Sequence, residues 1–167
     1  MGYRNVLFPR ASSATHDAFV AHLARDHSLL LDVLRQAWPQ AFDGVGDPRI
    51  AALRIEYPVV VGRNGRDGRG NGGWVAGFID LVIIVEVTRL HGPTIRYQET
   101  FYVEVKSGRI ALGDLLRQIN FYRVHGKEGY WVVVGPDDRY ADLLEGQGVA
   151  FVRMMSPSDK CEGQDAD

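Results

Sequence analysis

From Trp74 to Thr88 the chain is almost continuously apolar, and Asp80 is set inside the run, after Gly77-Phe78-Ile79 and before Leu81-Val82-Ile83-Ile84-Val85. Such a valine- and isoleucine-rich stretch reads as a buried strand. A carboxylate in that setting is costly unless it is paired or bound to a metal. A strand-end aspartate facing water would explain Asp80 taken alone. After His91-Gly92-Pro93, Ile95 to Lys106 reads as the antiparallel hairpin partner, closed by Ser107-Gly108. Strand side chains alternate with a period of two, so Tyr102, Glu104 and Lys106 share one face and Phe101, Val103 and Val105 the other. The pair of strands therefore brings two carboxylates and a lysine to neighbouring strand ends.

Elsewhere the pattern alternates between helix and strand. Ser12, Ser13 and Thr15 are N-cap candidates, and Asp17 suits a first helical turn. From there to about Trp38, Phe19, Leu23, Leu30, Val33 and Ala37 recur at helical spacing, and Pro39 ends the pattern. Residues 40–50, with Gly44, Gly46 and Pro48, read as a loop. Ala52 to Val61 reads as a strand, with Arg54 and Glu56 on one face. Pro58 predicts an edge or bulged strand there, since it cannot donate to a ladder.

Residues 62–73 are glycine-rich and carry Arg63, Arg66 and Arg69, a segment without core residues that must project into solvent or onto a ligand. Ala111 to His125 reads as a helix, Tyr130 to Val134 and Val149 to Met154 as buried strands, and Asp138 to Glu145 as a short helix closed by Gly146. The order is αβββαβαβ within a single domain over residues 1–155, followed by a polar tail, 156–167, expected to be disordered.

On the helix after Lys106, Asp114, Gln118 and Tyr122 are spaced four apart and share a face. An aspartate, then Glu-x-Lys, then Gln-x-x-x-Tyr, in that order across residues 53–152, closely resembles the PD-(D/E)XK nuclease superfamily. The motif pattern is most similar to its RecB-like, Gln-x-x-x-Tyr branch. The resemblance implies an α/β, restriction-endonuclease-like αβββαβ core: a central mixed sheet flanked by helices, here with an added C-terminal helix and strand. It also implies that Asp80, Glu104 and the Val105 carbonyl bind Mg²⁺ or Mn²⁺, and that Lys106 orients or activates the attacking water. Gln118 and Tyr122 would shape the active-site end and contact nucleic acid.

Each assignment has a plainer counterpart. Glu104 and Lys106 suit a surface pair, which contributes little to stability, and Gln118 suits any amphipathic helix whose buried face is Leu112, Leu115, Leu116 and Ile119. The first helix of the family should add one polar group, and no glutamate occurs in residues 1–40. His27, Asp26 and, after them, His22 are the candidates on that helix, and Glu56 is a separate candidate for the acid patch. Arg63, Arg66 and Arg69 could contact phosphates. The glycines around them are no nucleotide-binding fingerprint, because a strand and not a helix follows.

Composition narrows the function classes. A net charge of −2 argues against a protein that coats DNA, yet leaves room for a nuclease with local basic surface and metal charge. The lone Cys161 rules out a disulfide framework or cysteine-based zinc site within one chain, and with it the cysteine cluster of the CRISPR-associated relatives. Met1 to Arg10 lacks a signal-peptide core and no apolar run spans a bilayer, so a cytoplasmic protein with no membrane partner is expected. The expected function is metal-dependent hydrolysis of DNA phosphodiesters, endo or exo. The alternative is a catalytically silent module of the same fold that binds nucleic acid or assembles. Targeting would fall to self-association or a partner protein.

Overall fold

The apolar hairpin forms the spine of a five-stranded sheet. In the computed structural model, residues 13–62, 73–90 and 95–155 are described, and their elements follow in order. They are helices α1 (Ala14–Arg25) and α2 (His27–Ala37), a 3-10 turn at Pro39–Ala41, strands β1 (Val45–Val61), β2 (Trp74–Arg89) and β3 (Arg96–Val105), helix α3 (Leu112–Val124), strand β4 (Tyr130–Gly135), helix α4 (Ala141–Glu145) and strand β5 (Val149–Arg153). The sheet order is β1-β2-β3-β4-β5. The first three strands are antiparallel, and β4 and β5 add in parallel after helical crossovers. The protein is thus an α/β structure with a mixed sheet flanked by helices. Among the described residues no helix is long and apolar enough to cross a membrane.

Two cores sandwich the sheet. On one face Phe19, Leu23, Leu30 and Leu34 of α1 and α2 pack against Leu81, Ile83, Phe101, Val103 and Val132. On the other, Leu115, Ile119 and Tyr122 of α3, with Leu144 of α4, pack against Val82, Tyr102, Trp131 and Val133. Each fully buried large side chain contributes about 1.5–3 kcal/mol, so these faces carry the stability of the fold.

The short helix expected from Asp138 begins at Ala141, and two larger expectations need correcting. The helix expected through Trp38 is two helices. Asp26 leaves the helical region (φ −100°, ψ 88°) and its carboxylate accepts from Leu29 N at 2.9 Å, capping α2. A side chain that offers the next helix its N-cap competes with continuing the first. The loop expected over residues 40–50 is in large part strand: β1 begins at Val45 and absorbs Gly46 and Pro48 at a register shift between Gly46 and Arg49. That is tolerable because β1 is an edge strand, where Pro48 and Pro58 forfeit no inner ladder bond. The His91-Gly92-Pro93 turn, Ser12, Cys161 and the 156–167 tail lie outside the described residues.

One irregularity positions the site. Strand alternation would put Ile79 and Leu81 of β2 on one face, yet Ile79 belongs to the core under α3 and Leu81 to the core under α1 and α2. The strand changes the core it feeds at Asp80. Across the β1–β2 ladder, between the pairs Ile55↔Leu81 and Tyr57↔Ile79, stands Glu56 with φ +53°. A left-handed conformation is uncommon outside glycine and marks the same local break in the ribbon.

Candidate active site

Asp80 sits where β3 gives out. The β2–β3 ladder ends at Leu81↔Val103, one step short of Asp80 and Glu104. Beyond it β2 continues alone beside β1. The Val105 N–H, left without a β2 carbonyl, donates to Asp80 Oδ2 at 2.8 Å. A strand residue presents its N–H and C=O to the same side, so the Val105 main chain faces Asp80. Both carboxylates are buried, Asp80 8% and Glu104 1% exposed.

Glu104 is held between two donors. Lys106 Nζ lies 3.2 Å from Oε2, and Gln118 Nε2 donates to Oε1 at 3.4 Å. Burial pushes the Glu104 carboxyl up to about 8, the Lys106 ammonium pulling it back and the Asp80 charge pushing it further. Burial works on Lys106 in the opposite sense, but the charges of Glu104 and Asp80 outweigh it and raise its pKa above the ordinary value. Lys106 is therefore a cation at neutral pH.

The main chain there is tightly packed. Lys106 N donates to Val134 O at 2.8 Å. A Cβ on Gly135 would stand 2.7 Å from the Lys106 carbonyl oxygen, so only glycine lets β4 come this close.

Helix α3 contributes a relay. Gln118 Nε2 also donates to Tyr122 Oη at 3.1 Å, and Tyr122 Oη donates to the Phe78 carbonyl at 3.3 Å. The Tyr122 hydroxyl is raised well above its ordinary pKa, by burial first and the Glu104 charge second, and stays protonated. Asp114, on the same side of the helix, is not part of this. It is exposed and ion-paired with Arg117.

From helix α1 the polar side chain that reaches Asp80 is His16, and not His27, Asp26 or His22. His16 is 7% exposed, and its Nε2 lies 3.3 Å from Asp80 Oδ2 while Nδ1 lies 3.2 Å from Asp17 Oδ1. Ser13 caps this helix, accepting from His16 N at 3.1 Å, which fixes the turn that carries the imidazole. The hydrogen bond to Asp80 raises the His16 pKa against the opposing effect of burial. Helical spacing carries a signal for it: His16, Phe19, Val20 and Leu23 form one i, i+3, i+4, i+7 stripe.

Asp26 and His27 stand elsewhere, exposed at the α1–α2 junction, where Asp26 serves as a cap, and His22 is exposed as well. Glu56 occupies the ladder position across from Asp80 but on the exposed edge strand. Arg63, Arg66 and Arg69 lie outside the described residues.

The resemblance implies Mg²⁺ or Mn²⁺ at this cluster. Among the described residues no three His, Cys, Asp or Glu side chains are grouped as a ligand set. The cluster instead offers Asp80 and Glu104, with every described hydrogen bond to the Asp80 carboxylate falling on Oδ2. Two carboxylates beside a main-chain carbonyl suit Mg²⁺, which keeps several of its waters, better than Zn²⁺, which takes nitrogen and sulfur. No protein-family model, curated protein or solved structure matches the chain.

Proposed function

We propose that this chain is a metal-dependent nuclease that hydrolyses DNA phosphodiesters on a restriction-endonuclease-like core. The observation that carries the reading is the buried Glu104, gripped by Lys106 and Gln118 next to Asp80. A carboxylate desolvated this far, with a second one close enough to raise its pKa, is a perturbed acid at a strand end. Such groups concentrate at functional sites.

Asp80, Glu104 and the Val105 carbonyl would hold Mg²⁺ or Mn²⁺. When bound, the metal lowers the pKa of a water and neutralises charge developing on the phosphate. Lys106 is a cation, so it orients the attacking water and the phosphate by donating hydrogen bonds rather than by taking a proton. His16 holds Asp80 Oδ2 from the α1 side as Val105 N holds it from β3, and the other oxygen would be the one to take the metal. Gln118 does the same for Glu104 from α3. With both acids so fixed, little rearrangement is required during the reaction.

The test is cleavage of supercoiled plasmid, linear duplex and single-stranded DNA with Mg²⁺, Mn²⁺ or EDTA, beside Lys106→Ala. Metal-dependent cleavage lost in the variant is the expected result. Folded protein that cuts none of these substrates would overturn the reading in favour of a silent binding module.

A further inference from the structure

Next to the acidic cluster, on the face of the sheet that α3 only partly covers, lies a cavity of about 270 Å³. It is lined by Ala52, Arg54 and Tyr57 of β1, Val82 and Ile84 of β2, Thr100 and Tyr102 of β3, and Lys127 after α3. Two cations converge there on one ring. Lys127 Nζ stands 4.8 Å from the Tyr57 ring centre and the Arg54 guanidinium 5.5 Å from it. Among the described residues neither joins an ion pair. Glu128 stands near enough to act on the Tyr102 hydroxyl, but it pairs with neither cation. Like charges gathered without a paired counter-charge repel, and an anion between them relieves that cost.

The rest of the cavity is apolar wall and hydroxyl. Val82, Ile84 and the Tyr102 ring, itself stacked on Trp131 with centres 4.9 Å apart, give flat apolar surface. Thr100 and Tyr102 supply hydroxyls. The volume falls just short of the range of pockets for drug-sized ligands, which suits one ring with its phosphate.

The cavity also depends on the break in β1. Ala52 and Arg54 alternate onto this face, and continued alternation would next bring Glu56. Glu56 instead takes φ +53°, and Tyr57 lines the cavity in its place. A local cost of order 1–3 kcal/mol thus exchanges a carboxylate for an aromatic ring at an anion site.

Val82 is two residues from Asp80, and Tyr102 two residues from Glu104, in the same direction along antiparallel strands. Two residues of strand span about 7 Å, close to the step between successive phosphates on an extended nucleic-acid strand. Resting on the nuclease reading above, we propose that this cavity is a nucleotide subsite. Arg54 and Lys127 hold the phosphate, and the Tyr102 and Ile84 wall holds the ring, of the unit adjoining the bond cut at Asp80 and Glu104.

The test keeps binding apart from cleavage. In EDTA, thymidine 5′-monophosphate, thymidine and inorganic phosphate are titrated into the protein and into Arg54→Ala, Lys127→Ala and the double variant, by calorimetry and by amide chemical shifts of Thr100, Tyr102 and Lys127. Both substituted side chains reach the surface, and circular dichroism checks that the variants fold. The nucleotide is expected to bind at least tenfold more tightly than thymidine or phosphate, and the double variant to lose at least tenfold. Equal binding of phosphate and nucleotide, no saturable binding, or undiminished binding in the double variant would overturn the subsite. A protein that cuts DNA with an unchanged KM in the double variant would overturn it while leaving the nuclease intact. A protein that never cuts, yet loses nucleotide binding in the double variant, would keep the subsite and overturn the nuclease.

Discussion

The metal-free protein should lose stability as the pH rises from about 5 to about 8, against the habit of proteins that gain stability over the acid half of that range. The cause is Glu104. Its carboxyl titrates from 4.5 in the unfolded chain to about 8 in the fold, because burial disfavours its charge. Between those values the folded state binds more protons than the unfolded state, so the slope of unfolding free energy with pH is negative. Each unit is worth about 1.4 kcal/mol, and the whole interval on the order of 5 kcal/mol. His16 acts in the same sense. Its raised pKa gives stability that is full below 6.5 and lost as pH climbs through the folded value. Lys106 is also raised, but from 10.5, so its contribution is constant over this window. Asp137, held at about 2 by Arg139, matters only below its ordinary 3.8. Urea unfolding in EDTA at pH 5, 6, 7 and 8, followed by circular dichroism, reads the slope. Glu104→Gln should flatten most of it, and Mg²⁺ should flatten it in the wild type by adding positive charge beside the carboxylate that Lys106 alone does not hold ionised. A flat or rising profile in wild-type protein, or the same decline in Glu104→Gln, would refute the reasoning.

Three further outcomes are expected. Calorimetry should show Mg²⁺ or Mn²⁺ binding that disappears in Asp80→Ala and Glu104→Ala variants that still fold; undiminished binding in both would remove the metal site. Gly135→Ala should cost on the order of 1–3 kcal/mol in urea unfolding, because its Cβ would meet the Lys106 carbonyl at 2.7 Å and must push it away, and a wild-type midpoint would show that β4 gives way freely. Tyr122→Phe, which strips the hydroxyl bonded to Gln118 and to Phe78 O, should cost about 1–2 kcal/mol in thermal or urea unfolding, whereas unchanged stability would mean the relay has little strength.

Most of the fold could be read from periodicity, because each buried element repeats its own period. The strands Trp74–Arg89, Arg96–Val105, Tyr130–Gly135 and Val149–Arg153 and the helix Leu112–Val124 lie within a residue or two of where their patterns put them. The two misses share a physical cause. At Asp26 and at Gly46–Pro48 a local signal has two uses, and the tertiary setting selects between them. An aspartate inside an apolar stripe is a tolerable helix residue until its carboxylate caps the next helix. Gly and Pro signal a loop unless an edge strand with register shifts can absorb them.

The site was legible where its residues follow one another along the chain and illegible where they meet only in space. Glu104 and Lys106, two apart on one strand, had to share a face, and Gln118 and Tyr122, four apart on a helix, had to do the same. Nothing local joins His16 to Asp80, which are separated by 64 positions and come from different layers. Their meeting depends on Asp80 lying where β2 changes cores. On an unbroken strand a residue serves one face only, and a group from α1 and a group from α3 could not both attend the same acidic pair. At Asp80 the ribbon passes from the core under α3 to the core under α1, so its carboxylate is open to His16 while Glu104, one strand over, remains open to Gln118. The same break, felt in β1 as the left-handed Glu56, carries Tyr57 onto the face of the neighbouring cavity. One departure from strand alternation therefore shapes the acidic pair and the cationic cavity together, and straightening β1 at Glu56 should disturb both at once.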